Sequence, residues 1–183
     1  MRDGMKLVLP TMEYRERALD YIREFTEAGS EVHGSGSLDS FAVSSAYEAW
    51  LDKLRADIDI ANIPANRMPA LTYFYVREAD GRIVGMVNIR LADGARVPRE
   101  AGHVGYSVRP TERRKRYATD MLREAVRVCR AVGIGDVFVT CTAGNAASSG
   151  TIKNCGGELE STFHSERYDE TIERYRISAA PEK

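Results

Sequence analysis

Apolar positions recur along this chain in two rhythms. Tyr14, Ala18, Tyr21, Ile22 and Phe25 return every three or four residues and so line one face of a helix, which Thr11 can cap and Gly29 ends. Tyr47, Trp50, Leu51, Leu54 and Ile58 repeat that spacing in a second helix beginning at Asp39 or Ser40. Met121, Leu122, Ala125, Val128, Cys129 and Val132 do so in a third, closed by Gly133. Between the helices run short strand-like segments: Lys6 to Leu9, stopped by Pro10, then Leu71 to Arg77, Arg82 to about Leu91, His103 to Val108, and Asp136 to Cys141. Asp80-Gly81 joins two of them as a hairpin turn. Asn145 opens a further helix ended by Gly156-Gly157, Glu158 to His164 and Thr171 to Ser178 form a closing antiparallel pair, and Pro181 to Lys183 are expected to fray. This order predicts an α/β (α+β mixed) fold in one domain over residues 1–183. Its centre is a mixed, mostly antiparallel sheet with helices on both faces.

One stretch carries chemistry. The strand His103 to Val108 stops at Arg109-Pro110, and a turn containing Arg113, Arg114, Lys115 and Arg116 leads into the third helix. Unpaired N–H groups and the positive end of the dipole at that helix start favour an anion such as a pyrophosphate, and four consecutive cations deepen the well. Neither a Walker lysine pattern nor a dinucleotide glycine triplet is present.

Arg113-x-x-Arg116-x-Ala118 resembles the Arg/Gln-x-x-Gly-x-Gly/Ala loop with which GNAT-superfamily acetyltransferases hold the pyrophosphate of acetyl-CoA. Val108-Arg109-Pro110, Gly133, Asn145-x-x-Ser148 and Gly156-Gly157 agree with it. The Gly81 to Val87 hairpin, the Gly102 to Tyr106 strand and the Gly34 to Leu38 loop are similar to a group of bacterial acetyltransferases in that superfamily. The resemblance implies an acetyl-CoA-dependent N-acetyltransferase acting on a primary amine of a small molecule or peptide by direct attack. A CoA-binding module with little or no catalysis is the alternative. Implied contacts to acetyl-CoA come from Tyr106, Ser107 and Val108 on the strand, from Arg113, Arg114, Lys115, Arg116, Tyr117, Ala118 and Thr119 in the loop, and from Asn145 and Ser148. Ser107 and Val108 match the place whose backbone N–H polarises the thioester, and Gly105 would let a ligand lie close or else mark a bulge. For the base, His103 is the first candidate because imidazole titrates near neutrality, and Glu100 is the second; a packing role for His103 stays open. Asn145 either caps its helix alone or also offers its amide to the pantetheine arm.

Two positions depart from the family. Arg116 stands where the loop's first glycine is usual, and ordinary helical dihedrals are expected there, which an arginine tolerates; a positive φ would instead strain it. Ile152 stands where a tyrosine acid is usual, seven residues after Asn145. On the acceptor side, Glu31, His33, Asp39 and Asp93 would suit a cationic amine, and the carboxylates would equally suit solvent.

The charge balance, 26 Lys and Arg against 27 Asp and Glu, gives no global field to draw nucleic acid or an anionic membrane. Cys129, Cys141 and Cys155 are an odd number without metal-ligand spacing, so no metal is expected and the thiols read as reduced. The N-terminus lacks a signal-like apolar run, and the expected location is cytoplasmic. Homodimers are common among similar proteins.

Overall fold

The computed structural model describes residues 2–42, 46–59, 61, 63–64 and 68–178; Pro181 to Lys183, expected to fray, lie outside that set. The chain starts with β1 (Met5–Val8), a 3-10 turn (Met12–Tyr14), α1 (Arg15–Glu27), α2 (Leu38–Ala42) and α3 (Tyr47–Ala56). It continues through β2 (Ala70–Arg77), β3 (Arg82–Arg90), β4 (Val104–Val108), a 3-10 turn (Pro110–Glu112) and α4 (Tyr117–Ala131). It ends with β5 (Val137–Thr142), α5 (Ala146–Lys153), β6 (Gly157–Ser165) and β7 (Glu170–Ile177). Two antiparallel ladders result, in the orders β1-β2-β3-β4 and β5-β7-β6.

A bulge in β3 organises the first ladder. Tyr75 pairs with Gly85 but Val76 pairs with Ile83, so Val84 has no partner opposite it. The extra residue shifts the alternation, and Ile83 and Met86 both face the cluster made by Tyr21, Phe25, Trp50 and Phe74. Val84, Val87 and Ile89 face the opposite core, where α4 contributes Met121, Leu122 and Ala125 and the second ladder contributes Val139 and Tyr175. Helices therefore cover both faces, as the apolar rhythm predicted. Gly85 lets α4 pack close, because a Cβ there would lie 2.6 Å from the Met121 sulfur and oblige that side chain to move.

Three local expectations are corrected. The expected second helix is two, α2 and α3, and α3 stops at Ala56, so Ile58 falls beyond the stripe and is exposed. Val132 caps α4 and is exposed rather than part of its buried face. Thr11 offers no side-chain cap; its carbonyl instead accepts from the Tyr14 N–H at 3.1 Å and the Tyr47 hydroxyl at 2.9 Å.

Candidate active site

The site lies where the two ladders meet and part. At the start of β4 the His103 N–H donates to the Phe138 carbonyl at 2.6 Å, and the Phe138 N–H donates to His103 Nδ1 at 2.9 Å. Beyond this junction the strands separate around a cavity of about 380 Å³, lined by Val104, Gly105 and Tyr106 from β4 and Thr140, Cys141 and Thr142 from β5. Gly34 lies over the β4 backbone with φ +71°, and a Cβ there would overlap the Gly105 carbonyl. Close approach thus constrains Gly34 more than Gly105, whose own Cβ would meet Gly34 at an ordinary 3.5 Å.

Hydrogen-bond alternation shows which backbone groups face the gap. The Arg90 N–H donates to His103 O at 2.7 Å and the Arg109 N–H to Val84 O at 2.9 Å, in one register that pairs Ser107 with Met86. Gly105 and Ser107 therefore turn their polar groups towards β3, while Val104, Tyr106 and Val108 present theirs at the open edge. Of the two residues expected to polarise a thioester, Val108 is at that edge and Ser107 is not. Ser107 has other partners: its carbonyl accepts from the Tyr21 hydroxyl at 2.9 Å, and its hydroxyl donates to His33 O at 2.5 Å.

The basic bend hangs from a buried cation. Arg109, 2% exposed, donates through Nε to the Ile83 carbonyl at 2.9 Å and through Nη1 to Asp20 at 2.8 Å and Glu24 at 2.7 Å. Glu24 also accepts from the Thr111 N–H and hydroxyl at 2.9 and 2.8 Å. Glu112, buried, takes Arg77 at 3.2 Å and Lys115 at 2.7 Å. So held, the bend is exposed from Arg113 to Arg116. The first backbone bond of α4 runs from the Asp120 N–H to Arg116 O at 3.1 Å, and no side chain caps the helix, which leaves the N–H groups of Tyr117, Ala118 and Thr119 as donors without intrahelical partners. Arg113 is spent on Ser30 at 2.7 Å, whereas Arg114 and Arg116 carry no ion pair among the described residues. Tyr117 offers only its backbone, since its ring packs edge-on to Tyr75 at 5.9 Å.

Arg116 overturns its expected conformation: φ is +66°, and Arg114 matches it at +65°. The loop keeps the left-handed turn that a glycine would supply, and the arginine bears a cost of about 1 kcal/mol or more. Arg116→Gly is expected to raise the unfolding free energy, read from urea titration as a higher midpoint, by about 1 kcal/mol or somewhat less after the entropy of the added glycine. A midpoint that falls would show that the bend is unstrained.

His103 was expected as the base, and its geometry assigns it elsewhere. It is fully buried; because Nδ1 accepts from Phe138, Nε2 carries the proton and donates to Ala92 O at 3.0 Å. No lone pair remains for a substrate. Burial, foremost, with Arg174 and Arg90 nearby, outweighs the two backbone contacts and holds its pKa below the usual imidazole value. Glu100 does line the cavity, where its Oε1 accepts from the Ser165 hydroxyl at 2.7 Å.

Asn145 caps α5, its side chain accepting from the Ser148 N–H at 3.0 Å, and both residues line the cavity. The Tyr106 hydroxyl lies 3.0 Å from that of Ser148, a pair the spacing did not reveal, and burial pushes the phenol up to about 12, so it stays protonated. Ile152 points into the core. Burial pushes the Cys155 thiol up to about 11, which leaves it a poor nucleophile. Glu31 and His33 reach the cavity; Asp39 instead accepts from Ser35, and Asp93 accepts from the N–H groups of Ala95 and Arg96 in its own turn.

The two ladders are tied at His103 and part around the cavity, and the chain leaves β4 through the exposed cationic bend to the uncapped start of α4. The family model described as Acetyltransferase (GNAT) family matches residues 35–156, more than half of the sequence. The chain belongs to that family and is a GNAT-type N-acetyltransferase. No curated protein matches the sequence. Among solved structures, the fold is similar to the microcin C7 self immunity acetyltransferase MccE in complex with acetyl-CoA and AMP. That likeness has 19% identity, a TM-score of 0.68, and covers 97% of this chain and 93% of that one. RimJ of Mycobacterium smegmatis, in complex with CoA-disulfide, gives 17%, 0.73, 96% and 82%. A GNAT-family acetyltransferase of Bacillus anthracis gives 11%, 0.66, 98% and 97%. Among the described residues no helix is long and apolar enough to cross a membrane, and no group of three or more His, Cys, Asp or Glu is placed to hold a metal.

Proposed function

We propose that this chain binds acetyl-CoA and transfers its acetyl group to a primary amine by direct attack. The observation that carries this reading is the set of orphan N–H donors at Tyr117 to Thr119, flanked by Arg114 and Arg116 and adjoining the open edge of β4. Acetyl-CoA would supply an activated thioester. The diphosphate fits the helix start and the two unpaired guanidinium groups. The open-edge N–H groups of Tyr106 and Val108 are free to hold the pantetheine arm, with Asn145 and Ser148 across the gap.

In this reading Glu100, which lines the cavity, takes the proton of an ammonium acceptor, directly or through water; that both His103 nitrogens are bonded to backbone groups supports the choice. Calorimetric titration with acetyl-CoA, combined with a thiol-release assay over amines, amino acids and peptides, tests both parts. Binding with thiol release is expected, and Glu100→Gln should lower kcat by about 100-fold while acetyl-CoA still binds. Undiminished turnover in that variant would remove Glu100 from the reaction. Binding without release from any acceptor would favour the non-catalytic CoA module, which the buried Ile152 in place of an acid also suits.

A further inference from the structure

The cavity is lined by a cation that no carboxylate among the described residues neutralises. Arg90, at the end of β3, is half-buried and reaches both the cavity between β4 and β5 and an adjoining one of about 450 Å³ beside Asn88 and Pro98. Its Nη1 donates to two backbone carbonyls, Ala101 O at 3.3 Å and Gly102 O at 3.1 Å. No carboxylate pairs with it among the described residues, although Glu31, Glu100 and Glu170 line the same cavity. Among the described residues the two arginines that are fully withdrawn from solvent are each matched: Arg109 by Asp20 and Glu24, and Arg174 by Glu160 at 2.7 Å.

A guanidinium withdrawn from water without a counter-ion is costly, and its planar fork is shaped for a carboxylate. Burial holds the Arg90 pKa below the ordinary guanidinium value, with only Tyr168 opposing that shift. The two carbonyls that Arg90 holds belong to the residues directly following Glu100. The anchored cation and the carboxylate of the proposed base thus share one end of the cavity without pairing with each other.

Resting on the reading that Glu100 receives the acceptor's amine, we propose that Arg90 binds a carboxylate of the acceptor, so that the substrate is a small amino acid bearing both groups. The ammonium lies towards Glu100 and the carboxylate towards Arg90, and each ionic group of a zwitterion meets its opposite. A plain amine would leave the guanidinium unpaired.

The test compares matched acceptors on the intact protein with acetyl-CoA: α-amino acids, their amides and methyl esters, and the amines lacking the carboxyl group. The free acids are expected to show KM values about tenfold or more below those of their amides and esters, as for a lost charge-assisted hydrogen bond. Ligand-observed NMR with amino acids and protein saturated with CoA should show binding that weakens by a similar factor in Arg90→Gln and recovers in part in Arg90→Lys. Equal KM values for acids and amides, a preference for plain amines or for peptides without a nearby carboxylate, or undiminished amino-acid binding by Arg90→Gln would each overturn the proposal. Failure of acetyl-CoA to bind at all would instead defeat the broader acetyltransfer reading. Thiol release that ignores the carboxylate would defeat the role of Arg90 alone.

Discussion

Arg109→Met is expected to lose about 3 kcal/mol of stability, and with it much of the affinity for acetyl-CoA, because one buried guanidinium joins the bulge, α1 and the basic bend. The substitution fills much of the same volume but orphans the Ile83 carbonyl and removes the shared partner of Asp20 and Glu24. In a domain of this size that loss lowers Tm by roughly 9 °C. The figure sits at the low end for a broken buried pair because Asp20 is half exposed and keeps Arg23 at 2.6 Å, while Glu24 keeps Arg82 at 3.2 Å and Thr111. Acid sensitivity provides an independent readout. The hydrogen bond from Arg23, together with Arg109, holds the Asp20 pKa below the usual carboxylate value against burial. For Glu24 burial acts in the opposite direction, but the Thr111 N–H, Arg109 and the Thr111 hydroxyl outweigh it, and that pKa is lowered too. Groups lowered on folding stabilise the protein above their unfolded pKa, near 4, and that contribution disappears as pH falls through the folded values. Arg109→Met should therefore lose stability less steeply than wild type below about pH 4. Equal slopes and an unchanged Tm would mean that the buried triad contributes nothing.

Much of this architecture was legible because it depends on local periodicity. The stripe of α1, the stripe of α4 and the Asp80-Gly81 hairpin all appear where three- and fourfold spacing and turn chemistry placed them. The basic bend was legible as an exposed run of cations before a helix start for a similar reason, since a strand, a turn and a helix start are adjacent in sequence. Its dihedral angles were not. Arg114 and Arg116 are held in left-handed conformations within a bend anchored from afar: Glu24 on Thr111, Arg77 on Glu112, and Arg2 donating to Lys115 O at 2.9 Å. Residue identity at 116 argued for the opposite conformation, and tertiary contacts prevailed. The same limit applies to Ser107. Which strand residues face the gap depends on the parity of pairing with β3, and a one-residue change of register would reverse it. Arg90 escaped notice because it ends an apolar run, where a charged residue reads as the point at which a strand meets solvent. Only the burial of its surroundings by Glu100 to Gly102 and the loop near Gly34 gives it a place in the cavity. Asp20 and Glu24, four residues apart on α1, were the available hint of a partner for Arg109.

His103→Ala is expected to cost about 3 kcal/mol, because the imidazole satisfies one backbone group on each side of the junction and the truncated residue satisfies neither. The Ala92 carbonyl and the Phe138 N–H would be left without their present partner, and the ring would be lost from its stack on Phe138 at 5.8 Å between centroids. The junction is where the two ladders are tied, so the damage should concentrate there: amide exchange at Phe138 and Val139 should accelerate more than exchange in β2 or α4. The sign of the pH effect follows from the lowered imidazole pKa. The unfolded chain takes up a proton at about 6.5, whereas the folded chain resists it, so stability from His103 is complete above about pH 6.5 and declines as pH falls towards the folded value. His103→Gln, which removes the titration while keeping a polar side chain, should flatten wild-type stability between pH 7 and 5. A catalytic base would behave otherwise. Were His103 to accept the acceptor's proton, its replacement would abolish an ionisation in the pH–rate profile, measured below the melting transition, and leave the pH dependence of unfolding intact. That pair of results would return His103 to the chemistry and displace Glu100. The opposite pair would identify it as the pin that closes the junction and so sets where the gap between β4 and β5 begins.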